Sequence, residues 1–318
     1  MGLRARRKVG NALDSTGSEA HRTTPTISNP TIIDMQPVNR WQLRCRTLAA
    51  GRIPLLMGVV NVTPDSFSDG GKFFEAAAAL EHGLRLAEEG ADLLDVGGQS
   101  TRPGSDPVDT DEELRRVVPV VAELCRRTSL PVSIDTDKSA VAREALAAGA
   151  EVINDVTALC GDLAMIPLAV ESSCGVCAMH MRGTPRTMQQ EPVYEDVVED
   201  VFAYLLARRD ALIAAGVKQS RIALDPGIGF GKTTQHNLTL LRRAARFHDL
   251  GCPLLVGHSR KRFIGEVLAD DKADRTAGTV GVSLALARKG VQVLRIHNVA
   301  AVRQALVLFE ASGGLEEE

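Results

Sequence analysis

The sequence predicts an α/β protein of the (β/α)8 TIM-barrel class with a parallel eight-stranded core, and three observations carry that prediction. Short apolar runs alternate with alanine- and leucine-rich amphipathic stretches through most of the chain. Nearly every apolar run ends in Asn, Asp, Lys or His, the residue types that a barrel displays at its functional rim. Glycines at 90, 149, 216, 251 and 290 follow the amphipathic stretches, where a helix C-terminus favours a left-handed residue.

The candidate strands are 55–60, 91–96, 131–135, 151–155, 175–180, 221–225, 253–257 and 292–297. Several are continuously apolar, as strands covered on both faces should be. Helical patterns lie between them at 76–89, 112–127, 140–148, 196–215, 237–248, 276–288 and 300–311, with a short and weaker one at 165–171. Eight strand–helix units over about 250 residues match a barrel in number and length. An open doubly wound sheet would carry a Gly-rich phosphate turn after its first strand. Here Asn61-Val62-Thr63-Pro64-Asp65 follows instead, and reactive residues spread over almost all strand ends.

Residues 1–40 are rich in Arg, Ser, Thr and Pro and show no apolar period, so they are expected to form a disordered extension ahead of a barrel domain at 41–312. They contain no apolar core of a secretory signal. Residues 313–318 are expected to fray. Across the chain of 318 residues a net charge of −3 and an aromatic content of 3% give no footprint for nucleic acid. No apolar run approaches the roughly 18–20 residues a membrane span needs, so no membrane partner is expected. Six scattered cysteines suit a reducing, cytoplasmic setting. Cys174 and Cys177 are three apart on a predicted strand and should face opposite sides, which argues against a joint redox or metal role.

The strand ends supply a polar ring: Asn61; Asp95 through Gly104; Asp135; Asn154 and Asp155; His180 after Met179; Asp225 with the loop through Phe230 to Lys232; His258 through Lys261; and Arg295, His297 and Asn298. For Asp155, Thr136 and Asn298 a capping role is the better reading. Asp135, Asn154 and Asp225 close otherwise apolar strands without basic neighbours on their own strands. Two acids and an amide suit a ligand presenting several N–H donors and a carbonyl, such as a fused aminopyrimidinone. Lys261, Arg295 and His297 are expected to place positive charge in the opposite sector. Arg295 and His297, two apart on one strand, share a face and suit a phosphate or pyrophosphate. Asn61 could complete the shell of a Mg²⁺ that takes its remaining charge compensation from substrate phosphates. Gly227, Gly229 and Gly231 do not make a P-loop, because Pro226 occupies the required first glycine position. They read as a flexible wall that lets Phe230 lie close to a flat ligand.

These segments resemble the dihydropteroate synthase family: Asn61 to Gly71, Asp95 to Gly104, Ser133 to Thr136, Ile153 to Asp155, Met179 to Met181, Asp225 to Lys232, Ser259 to Lys261 and Arg295 to His297. The resemblance spans about residues 55–300 in the family's order. It implies a pterin-binding barrel joining 6-hydroxymethyl-7,8-dihydropterin diphosphate to 4-aminobenzoate, with pyrophosphate released. It further implies that Asp135, Asn154, Asp225 and Lys261 hold the pterin, near Met179 and Phe230, and that Asn61 binds Mg²⁺. Arg295 and His297 would hold the diphosphate, so that Lys261, Arg295, His297 and Asp135 form the catalytic group. Thr101, Arg102 and Pro103 would close over the aminobenzoate together with the first loop around Phe67. A homodimer and inhibition by sulfonamides are implied as well. The chain departs from the family's usual residues at Gln99, His258 and Asn298. A related pterin-binding methyltransferase would have no need of Ser259-Arg260-Lys261 or of the Arg295–His297 pair, and a non-catalytic pterin binder would not need its loops intact.

Overall fold

The computed structural model describes residues 38–62, 72–102, 104–184, 187–188 and 192–316. Phe67, Pro103 and most of the predicted extension at 1–40 lie outside the described residues. Among those described, the chain runs β1 (Arg40–Gln42), β2 (Thr47–Ala49), β3 (Leu55–Asn61), α1 (Lys72–Glu88), β4 (Leu93–Gly97), α2 (Thr110–Arg127), β5 (Val132–Asp135), α3 (Ser139–Ala147), β6 (Val152–Asp155) and α4 (Met165–Ser172). It continues through β7 (Gly175–Met179), α5 (Val197–Ala214), β8 (Ile222–Asp225), α6 (Thr234–Arg242), β9 (Leu255–Val256), α7 (Arg262–Leu268), α8 (Thr276–Ala287), β10 (Val293–Ile296) and α9 (Val299–Ala311).

Strands β3 to β10 form one sheet in the order β8-β7-β6-β5-β4-β3-β10-β9, with every pairing parallel. A parallel bridge between Leu224 and Leu254 joins β8 to the start of β9 and brings the two ends of the sheet together. The predicted barrel is therefore present, with all eight strands within a few residues of their expected positions. Even the weak 165–171 pattern is a helix, α4.

Alternation along the strands separates two cores. Outward residues such as Leu56, Leu94, Ile134 and Ile153 pack beneath the helices. Inward residues Met57, Leu93, Val152, Cys177, Ala223, Leu255 and Val293 fill the N-terminal half of the barrel. Cys174 belongs to the outer core and Cys177 to the inner one, so the two thiols face opposite ways.

Three elements differ from the sequence reading. The antiparallel hairpin β1–β2, with Trp41 and Leu43 packed on the inner core, closes the N-terminal mouth. Trp41 is 1% exposed, and its indole Nε1–H donates to the Arg221 carbonyl at 2.9 Å. Strands this short carry too little period to be read from sequence. The expected 237–248 helix is α6 followed by a 3-10 segment at Ala244–Leu250. Helix α7, only seven residues long, lies between the seventh barrel strand β9 and α8, where the sequence shows no helical pattern.

Candidate active site

The polar residues gather at the C-terminal end of the barrel because strand register puts them there. Gly97 pairs with Asp135, Asp135 with Asn154, and Met179 with Asp225, so these inward positions cluster across five strands, β4 to β8. Two glycines border them, each with space for ordinary contact. A Cβ at Gly97 would meet the Asp135 side chain at 3.4 Å, and one at Gly257 would meet both Asp225 and Arg295 at 3.8 Å.

A cavity of about 510 Å³ opens above this floor. Its walls include Asn61, Thr101, Arg102, Asp135, Phe230, Lys261, Arg295 and His297, all of them singled out by the sequence. Asn154, Met179 and Asp225 do not reach the cavity wall. They are 7%, 4% and 5% exposed and form the layer beneath it.

Charge in this site is arranged differently from the sequence expectation of separate acidic and basic sectors. Arg295 donates through Nε to Asp95 Oδ2 at 2.6 Å and through Nη2 to Asp135 Oδ2 at 2.7 Å. Asn154 Nδ2 donates to the same Asp95 oxygen at 3.0 Å. The expected acids therefore have a basic neighbour, supplied by a strand distant in sequence. Asp95, named in the polar ring but given no role from the sequence, is the hub. It is fully buried, and its Oδ1 has no hydrogen-bond partner among the described residues. An unmet acceptor at that depth is costly, and here it lies among the residues expected to meet the pterin.

Burial pushes the Asp135 carboxyl up to about 7, against the pull of Arg295. Asp225 is raised for the same reason, against Lys261, while its Oδ1 accepts from the Gly227 N–H at 2.7 Å. Burial also opposes the charge on Arg295, but Asp95 and Asp135 outweigh it, and Arg295 holds its proton more tightly than an ordinary arginine. The Lys261 ammonium is lowered to about 8 by burial, and Asp225 partly offsets this. Its Nζ bonds the Ile228 carbonyl and lies 4.5 Å from the centre of the Phe230 ring.

His297 is held neutral: burial, and then Arg295 and further cations, lower it to about 3. Its backbone N–H donates to Ser259 Oγ at 3.2 Å, and its Nδ1 lies 3.0 Å from the same hydroxyl. Ser259 Oγ is placed to give its own proton to Nδ1; in that tautomer the ring hydrogen of His297 sits on Nε2 and the neutral ring is a donor toward the cavity.

The glycine-rich loop after β8 is not a flexible wall. A Cβ at Gly227 would collide with the His180 carbonyl, and one at Gly231 with the Arg182 carbonyl; both glycines have positive φ, at 67° and 65°. The loop is packed hard on the loop after β7. Lys232 pins it there, with Nζ 2.8 Å from His180 Nδ1, 3.0 Å from the Gly227 carbonyl and 2.9 Å from the Phe230 carbonyl. Phe230 nevertheless lines the cavity as expected. Of the residues read as caps, Asn298 is the N-cap of α9, while Asp155 and Thr136 accept from N–H groups in the turns that follow their strands. Asn298 Oδ1 accepts from the Ala301 N–H at 3.0 Å, and Asp155 accepts from the N–H groups of Thr157 and Leu159. Thr136 Oγ1 accepts from Lys138 N–H at 3.3 Å.

A parallel barrel whose rim holds a buried acid–amide cluster, tied by one guanidinium to a cationic wall, defines a pterin-binding barrel enzyme. The family model described as "Pterin binding enzyme" matches residues 57–297. The chain is 47% identical over 264 residues to the dihydropteroate synthase of Neisseria meningitidis serogroup C, across 82% of this chain and 93% of that protein. Among solved structures it resembles Xanthomonas albilineans dihydropteroate synthase with 4-aminobenzoic acid, at a TM-score of 0.80 and 46% identity, covering 86% of this chain and 98% of that one. The same enzyme in complex with 7,8-dihydropteroate matches at a TM-score of 0.77 and 44% identity, with the same coverage. The chain belongs to the pterin-binding enzyme family, within its dihydropteroate synthase branch.

Proposed function

We propose that this chain condenses 6-hydroxymethyl-7,8-dihydropterin diphosphate with 4-aminobenzoate, giving 7,8-dihydropteroate and pyrophosphate. The observation that carries the reading is Arg295, bonded at once to Asp95 and Asp135 on the cavity floor. A guanidinium has five N–H donors, and those not facing the two acids suit phosphate oxygens. One side chain thus links the pterin end of the substrate to its leaving group. The Xanthomonas structures with 4-aminobenzoic acid and with 7,8-dihydropteroate support the same substrates here.

An arylamine is uncharged at neutral pH, so its attack needs no strong general base. The barrier lies in ionising the carbon–oxygen bond to diphosphate. Arg295 and the Nε2–H of His297 stabilise the charge that departs, in a partly buried site where such donors act strongly. Asp95, Asp135 and Asp225 favour the cationic methylene left on the pterin. Thr101 and Arg102, on the loop after β4, wall the cavity and shield that cation from water.

Asn61, at the end of β3 on the cavity wall, offers a neutral amide oxygen and is the residue we assign to Mg²⁺. Among the described residues no group of three His, Cys, Asp or Glu forms a ready-made metal cage. A Mg²⁺ held there would take most of its charge compensation from the substrate's phosphates. When bound, it would neutralise part of the diphosphate charge.

A homodimer is supported by α8 and α9. Ala277, Gly281 and Ala285 recur every fourth residue on the exposed side of α8, and Leu308 on α9 is 69% exposed. Among the described residues no helix is long and apolar enough to cross a membrane, and all six cysteines are free, which supports a reducing cytoplasm.

The deciding experiment is pyrophosphate release from the pterin diphosphate. It should require 4-aminobenzoate, and release that ignores the arylamine would overturn the reading.

A further inference from the structure

We infer that Gln99 is a positioning residue: it latches the loop that carries Thr101 and Arg102 to the barrel body through Lys138, and this latch sets the affinity for the arylamine. The inference rests on the proposed condensation. Gln99 Oε1 accepts from Lys138 Nζ at 2.8 Å and from the Val108 N–H at 2.9 Å, so one amide oxygen closes the loop on itself and ties it to the start of α3. Lys138 is anchored in turn by Glu113 Oε2 at 2.6 Å, from a carboxylate that is fully buried. The root of the loop is fixed as well. Arg116 Nη1 donates to the Gly98 carbonyl at 3.0 Å, and a Cβ at Gly98 would meet Val117 at 2.7 Å.

The loop needs a latch because there is room behind it. Gln99, Ser100 and Thr101 line the active-site cavity on one side and a second cavity of about 520 Å³ on the other. Both clefts open to the surface, so the loop between them has space on each side. Inside the loop, Ser105 Oγ donates to the Ser100 carbonyl at 2.6 Å and lies 2.8 Å from the Arg102 carbonyl, so Ser100, Arg102 and Ser105 are tied together. The Gln99 amide holds that segment against the active-site side, where Thr101 and Arg102 complete the arylamine pocket. The pterin floor is held by its own bonds, Arg295 to Asp95 and Asp135 and Asn154 to Asp95, and its nearest tie to the latch is the charge of Glu113 acting on Asp135.

Gln99→Leu keeps the side-chain size but removes the acceptor, while Lys138 keeps Glu113. The KM for 4-aminobenzoate should rise at least tenfold, with binding of the pterin alcohol changed less than twofold. Amide hydrogen exchange at Val108 should speed up at least tenfold in the protein without substrates. Gln99→Glu restores an acceptor and should return both readouts to within threefold of the parent. Unchanged exchange and unchanged KM in Gln99→Leu would overturn the latch, and so would an equal loss for both ligands. The exchange readout needs no substrate, so it can sink the latch while the condensation stands. A parent protein that releases no pyrophosphate would sink the condensation instead.

Discussion

Arg295 reaches Asp135 at 2.7 Å across 160 residues of sequence, and this contact fuses what the sequence presented as two separate sites. The cation expected on the diphosphate also neutralises the acids expected on the pterin.

Arg295→Ala should therefore damage both ends of the substrate. It removes the diphosphate contact and leaves Asp95 and Asp135 without their cation. We expect kcat/KM to fall by at least about 2–3 kcal/mol of transition-state stabilisation. Calorimetry should show weaker pterin-alcohol binding as well, although that ligand carries no phosphate. Full retention of pterin-alcohol affinity would mean that the Arg295–Asp135 contact has no role in shaping the pterin floor.

Ser259→Ala should act through His297 alone. Without the hydroxyl, Nδ1 loses the partner that fixes the ring hydrogen on Nε2. Affinity for pyrophosphate should drop by about 0.5–1.5 kcal/mol, the usual worth of one such hydrogen bond, with pterin-alcohol binding retained. Loss of both in the same proportion would make Ser259 a packing residue.

Acid stability should report His258. This ring is fully buried at the end of β9, lies 2.9 Å from Ser283 Oγ, and is lowered to about 4, chiefly by burial. As pH falls below 6.5 the unfolded chain takes up this proton before the folded one does, so the folded state loses stability between about 6.5 and 4. His258→Met should flatten that limb by up to about 1.4 kcal/mol per pH unit in denaturant titrations. Asp135, raised to about 7, runs the other way and loses stability as pH rises from about 4 to 7. It is common to both proteins and cancels in the difference. Identical slopes would show that His258 titrates normally.

The hairpin supplies a boundary test. Trp41 seals the closed end of the barrel, so Trp41→Ala should cost about 3–5 kcal/mol of stability by thermal or denaturant unfolding. A chain beginning at Val38 should keep its melting temperature, whereas one beginning at Leu43 should lose it. Equal melting of the two would place the seal elsewhere.

The barrel and its rim were legible because each unit announces itself locally: an apolar run, a polar terminus, then an amphipathic stretch. Asp135, Asn154, Asp225, Lys261 and Arg295 could be picked out for that reason. What stayed hidden depends on register and distance. Asp95 sits two residues before the end of β4, where an acid looks like an interruption, and only the packing of β10 shows that it holds Arg295. Gln99 finds its cation 39 residues away in sequence. The glycines after β8 show their need for positive φ only against the His180 and Arg182 carbonyls. Strands as short as those of the hairpin carry no usable period.

One cavity takes the two reactants in order. If Arg295, His297 and Asn61 hold the diphosphate, and the loop carrying Thr101 and Arg102 completes the second pocket over it, the arylamine site is unfinished until the pterin end is filled. The most direct measurement is calorimetry with a sulfonamide, as an arylamine mimic, with and without pterin, pyrophosphate and Mg²⁺. Affinity should tighten at least about tenfold, or about 1.4 kcal/mol, when they are present. Equal sulfonamide affinity in both states would contradict ordered assembly.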